Sequence, residues 1–145
     1  MTIQRMDHVG IVVDDMAAGI AFFVDLGLKL VGEVSVEGGW VERIIGVEDV
    51  RSDIAMLETA DGHSRIELSK FRSPATFPGD PHAPTNTLGL RHMAFIVDDL
   101  DTIVARLRAR GVELVGTVEQ YENSYRLCYV RGPEGVIVEL AQQLG

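Results

Sequence analysis

His8-Val-Gly-Ile-Val-Val-Asp14-Asp15-Met16 and His92-Met-Ala-Phe-Ile-Val-Asp98-Asp99-Leu100 are two versions of one phrase. They stand at an offset of 84 residues (92 − 8), and Gly27-Leu-Lys-Leu-Val-Gly-Glu-Val34 recurs at the same offset (111 − 27) as Gly111-Val-Glu-Leu-Val-Gly-Thr-Val118. The chain is a duplication. Two copies of one unit bring similar side chains to equivalent places, so a histidine in each copy reads as half of a metal site.

Working outward, each phrase reads as an apolar strand followed by a helix. In the first copy the spacing predicts a strand over 6–13, a helix over 16–25 and extended segments near 28–36, 40–47, 53–58 and 64–69. Asp14-Asp15 supplies carboxylates to cap the helix start, and Gly27 ends it. The second copy repeats the pattern: a strand over 91–97, a helix opening at Asp98-Asp99 with Leu100, Ile103, Val104 and Leu107 along one side, a stop at Gly111, and extended segments near 112–120, 124–130 and 136–141. Between the copies, residues 73–89 hold four of the five prolines. Proline lacks the amide that a strand ladder needs, so this stretch is expected to be a connector. The expected organisation is one domain over 1–145, with module one at 1–72, a linker at 73–89 and module two at 90–145.

Composition narrows the function. The 13 Lys and Arg against 22 Asp and Glu give a net charge of −9. With no basic face evident, nucleic acid is not an expected partner. The N-terminal stretch has no apolar core of a secretory signal and no run approaches the length of a membrane span, so a cytoplasmic protein without membrane contact is expected. The single cysteine, Cys128, excludes an intrachain disulfide; in the apolar run 127–130 it reads as a buried, inert thiol.

Strand alternation places His8 on one face with Gly10 and Val12, and His92 on one face with Ala94 and Ile96. Small neighbours leave room in front of each imidazole. The end of each copy carries a carboxylate in an apolar strand: Glu67 in Arg65-Ile-Glu-Leu-Ser69 and Glu139 in Val136-Ile-Val-Glu-Leu140. A buried carboxylate costs several kcal/mol unless a cation or donors compensate it. Two histidines and two glutamates suit a divalent Zn, Ni, Co, Mn or Fe ion with open positions for water or substrate. His63 and His82 fall in loops and read as solvated. Trp40 reads as a packed or rim residue and Glu42 as half of a surface ion pair. Arg5, Arg43, Arg51, Arg65, Arg91 and Arg126 are the candidate anion-recognition residues.

The paired His-x-x-x-x-Val-Asp-Asp phrases, the repeated unit and the terminal Gly132-Pro-Glu-Gly-Val-Ile-Val-Glu139-Leu resemble the vicinal oxygen chelate superfamily over essentially the whole chain. That group includes glyoxalase I, methylmalonyl-CoA epimerase, extradiol dioxygenases, fosfomycin-resistance enzymes and bleomycin-resistance proteins. The resemblance implies an α+β fold of two tandem βαβββ modules, their sheet curved around a metal-binding cleft. It also implies His8, Glu67, His92 and Glu139 as ligands of one divalent ion. This ligand set is closest to glyoxalase I, while methylmalonyl-CoA epimerase differs by a glutamine where Glu67 stands.

The implied activity is metal-dependent lyase, isomerase or epimerase chemistry on a small α-oxygenated carbonyl compound or thioester. Glu139 and Glu67 would move the proton, and the metal would stabilise the enediolate or enolate. A homodimer is the implied assembly, and the resemblance leaves open whether ligands meet within one chain or across two. An extradiol ring-cleaving dioxygenase, and a metal-free drug-sequestering protein of the bleomycin-resistance kind, are the competing functions within the same fold. Neither glutathione nor coenzyme A is indicated by any recognisable motif.

Overall fold

A computed structural model describes residues 2–145; Met1, the first residue of the expected first module, lies outside the described residues. The elements run β1 (Val9–Val12), α1 (Met16–Asp25), β2 (Lys29–Glu37), α2 (Gly39–Ile45), β3 (Arg51–Glu58) and β4 (Arg65–Ser73). There follow β5 (His92–Val97), α3 (Leu100–Ala109), β6 (Glu119–Tyr121), β7 (Tyr125–Arg131) and β8 (Ile137–Gln143). They form two four-stranded sheets with the same strand order, β1-β4-β3-β2 and β5-β8-β7-β6. In each, the first strand pairs in parallel with the last strand of its own copy. The mixed α+β fold with two modules is the one that the family resemblance implies. The chain divides into compact units at 1–78 and 79–145, so residues 79–89 of the connector group with the second unit.

The helices form where the caps dictate. Asp15 accepts a hydrogen bond from the Ala18 amide at 3.0 Å, and Asp99 accepts from the Thr102 amide at 3.2 Å, each satisfying an orphan donor of a first turn. In the first unit, α1 lays Phe22 and Phe23 over the sheet face that carries Ile66, Leu68, Ala55 and Leu57, all buried. Gly19 permits this approach, since a Cβ there would stand 3.0 Å from Leu68 Cδ1. In the second unit, Leu100, Ile103, Val104 and Leu107 of α3 are buried, as are Val138 and Leu140 of β8. Each fully buried Leu or Phe contributes about 1.5–3 kcal/mol by leaving water.

Two segments depart from the pattern. Residues 40–47, expected to be extended, contain α2. Gly38 at φ 105° and Gly46 in the left-handed region bracket it, and only Val41 is buried. The short run between two glycines closes as a helix because it has one apolar anchor rather than an alternating face. Segment 112–120 pairs only through β6 and an isolated Leu114–Val130 bridge, which makes the second sheet shorter at that edge than the first.

One turn is tightly constrained. Gly135 precedes β8 at φ 76°, and a Cβ there would stand 2.0 Å from the Pro81 carbonyl oxygen. The connector is therefore packed against this turn, with Ala83 buried nearby in sequence.

Candidate metal centre

In each unit one sheet face packs on its helix and the opposite face carries the candidate ligands. On β1, Ile11 is buried while Gly10 and Val12 are exposed, so His8, two residues before Gly10, belongs to the open face. Gly10 is paired with Glu67 on β4. In the second unit Ala94, two residues after His92, is paired with Glu139 on β8. The duplication thus reproduces one arrangement: a small residue lies beside the glutamate, and a histidine two positions earlier leans toward it.

The side chains meet in each case. His8 Nε2 lies 3.4 Å from Glu67 Oε2, and His92 Nε2 lies 3.5 Å from Glu139 Oε1. The glutamates are partly buried, at 26% and 21% side-chain exposure, and the imidazoles remain accessible at 35% and 40%. Ligand atoms about 2.0–2.2 Å from a shared divalent ion stand roughly 3.0–3.5 Å apart, so both pairs have the donor separation of neighbouring metal ligands. Among the described residues, no group of three or more His, Cys, Asp or Glu side chains that could hold a metal ion occurs. Within the first unit the structure brings His8 to Glu67, and within the second His92 to Glu139.

Supporting groups surround each pair. Asp7 Oδ2 lies 2.9 Å from His8 Nδ1, so the imidazole is held between two carboxylates, Asp7 at Nδ1 and Glu67 at Nε2. The His8 hydrogen bond holds the Asp7 carboxyl below the usual aspartate range. Ser69 Oγ donates to Glu67 Oε1 at 3.5 Å. In the second unit Tyr129 stands opposite Glu139 in the β7–β8 register, with its ring centroid 5.0 Å from that of His92. Burial pushes the Tyr129 phenol up, with the Glu139 charge adding to the shift.

Neither Asp7 nor Tyr129 stands out in the sequence. Asp7 had a signal in its position next to His8, whereas Tyr129 is placed only by strand register. Other candidates resolve into structural roles. Glu42 accepts from the Val50 amide at 3.3 Å rather than pairing with an arginine. Arg5, Arg51, Arg65 and Arg126 pair with Asp7, Glu37, Glu58 and Asp101. Cys128 is buried, and that burial raises its thiol pKa. His63 and His82 lie exposed in turns where Asp61 and Asp80 accept from their backbone amides. Trp40 is 54% exposed on α2.

The model of the Glyoxalase/Bleomycin resistance protein/Dioxygenase superfamily matches residues 5–140. The chain belongs to this superfamily. It is similar, at 31% identity over 97% of its length and 98% of the relative's, to the uncharacterized protein YaeR of Escherichia coli. Among solved structures it is similar to a glyoxalase family protein from Bacillus cereus, with 50% identity, a TM-score of 0.96 and coverage of 100% and 97% of the two chains. A trypanothione-dependent glyoxalase I from Leishmania major shares the fold, at 22% identity, a TM-score of 0.69 and coverage of 97% and 87%. Superfamily membership accounts for the duplicated topology, and no described helix is long and apolar enough to cross a membrane.

Proposed function

We propose that this superfamily member is a metal-dependent lyase, isomerase or epimerase that moves a proton α to a carbonyl in a small α-oxygenated carbonyl compound or thioester. The observation that supports the reading most strongly is the repeated pair, Nε2 to Oε at 3.4 and 3.5 Å, built on equivalent strand positions of both sheets. The proposed ligands are His8, Glu67, His92 and Glu139, for a Zn, Ni, Co, Mn or Fe ion. A bound divalent ion supplies Lewis-acid polarisation of substrate oxygens. The protein supplies the rest. His8, oriented through Asp7, keeps its Nε2 on the Glu67 side of the pair, and the partly buried carboxylates of Glu67 and Glu139 accept and return the proton at their Oε atoms.

A homodimer is the proposed assembly. Exposed Val12 and Val34 in the first unit and Ile96 in the second leave apolar surface that a second copy would cover.

The test is α-proton exchange in D2O, followed by NMR over a panel of α-hydroxy carbonyl compounds, hemithioacetals and acyl thioesters with the divalent metals added in turn. Metal-dependent exchange with at least one class is expected, falling by about 100-fold or more in Glu67→Gln or Glu139→Gln. Exchange that is indifferent to both substitutions contradicts the roles assigned to them.

A further inference from the structure

The two His–Glu pairs match in topology and differ in what supports them. In the first, Asp7 holds His8 Nδ1 at 2.9 Å, and Ser69 Oγ reaches Glu67 Oε1 at 3.5 Å. The second has neither support. Arg91 precedes His92 where Asp7 precedes His8, and Ala141 follows Glu139 by two residues where Ser69 follows Glu67.

A different residue fills the gap. Tyr129 lies directly across from Glu139 on β7, whereas the matching position across from Glu67 on β3 is Met56, which has no strong donor. The Tyr129 ring packs beside His92, with centroids 5.0 Å apart and planes inclined by 37°. The register places its side chain on the same face as the Glu139 carboxylate. One side chain therefore stands beside both members of the pair.

We propose that Tyr129 is the positioning residue of the second pair, fixing the His92 imidazole by ring contact and the Glu139 carboxylate by hydrogen bonding. It does for His92 and Glu139 what Asp7 and Ser69 do for His8 and Glu67. An oriented carboxylate presents its remaining lone pairs to a cation without first giving up rotamer freedom, and such outer partners commonly change metal affinity by about 10–100-fold. This inference rests on the metal-binding reading above.

The experiment is a titration of the full chain with Co2+ alone, followed by calorimetry, by the cobalt d–d absorption and by the tyrosine ultraviolet difference spectrum. Tyr129→Phe is the test variant and Met56→Leu, at the matching position of the first unit, the control. Tyr129→Phe is expected to keep the wild-type circular dichroism, to bind Co2+ about 10-fold or more weakly and to lose the tyrosine difference signal; Met56→Leu is expected to stay within about 2-fold of the wild type. Wild-type affinity in Tyr129→Phe, or a wild-type protein whose tyrosine spectrum ignores bound Co2+, overturns the role of Tyr129 while leaving the metal reading intact. Failure of the wild type to take up Co2+ refutes the metal reading, and the inference with it.

Discussion

Asp7 shows how one exposed carboxylate can matter through its neighbour. With Oδ2 at 2.9 Å from His8 Nδ1, it orients the imidazole so that Nε2 faces Glu67. Asp7→Asn keeps the shape and weakens that orienting contact, so metal affinity measured by competition with a chromophoric chelator is expected to fall by about 10-fold, with the melting temperature nearly unchanged. Unchanged affinity would mean that the contact is incidental. That a histidine meets a glutamate in each unit was legible in the sequence because the duplication prints the pattern twice. Their helpers were not, because Asp7 has no counterpart before His92 and Tyr129 none across from Glu67.

At the scale of elements, legibility followed local chemistry. Helix α1 falls on the expected residues because Asp15 and Gly27 bound it, and α3 begins as expected after Asp99. Helix α2 escaped the reading because a seven-residue segment with one buried side chain carries almost no periodic signal. The packing of the connector was equally hidden, since Pro81 meets Gly135 through a contact more than fifty residues distant in sequence. That contact makes a prediction. Gly135→Ala places a methyl group against the Pro81 backbone at a positive φ and is expected to cost about 2–4 kcal/mol in urea unfolding. Gly10→Ala, on an open face with nothing within 4 Å of the new Cβ, is expected to cost less than about 1 kcal/mol. Equal effects would refute the close approach.

For the whole molecule, acidity is controlled by surface carboxylates with partners. Asp53 is held below its ordinary 3.8 by Arg72 and Ser35, Asp99 by Thr102, and Asp101 by Arg126. A carboxyl whose folded pKa is depressed adds stability above its unfolded value and loses it as pH falls through the folded value. Stability measured by thermal unfolding is therefore expected to hold from neutrality to about pH 5 and to decline below about pH 4. Asp99 and Asp101 are exposed while Asp53 is half-buried, so high salt is expected to flatten part of the decline. A steep loss of stability between pH 7 and 5 would contradict this account.

The account as a whole depends on His8, Glu67, His92 and Glu139 binding a divalent ion. Elemental analysis of protein purified without chelators, beside His8→Ala and His92→Ala purified identically, tests it most directly. Stoichiometric metal in the wild type and its loss from both variants is the predicted result; equal metal content in all three proteins, or none in any, would contradict it.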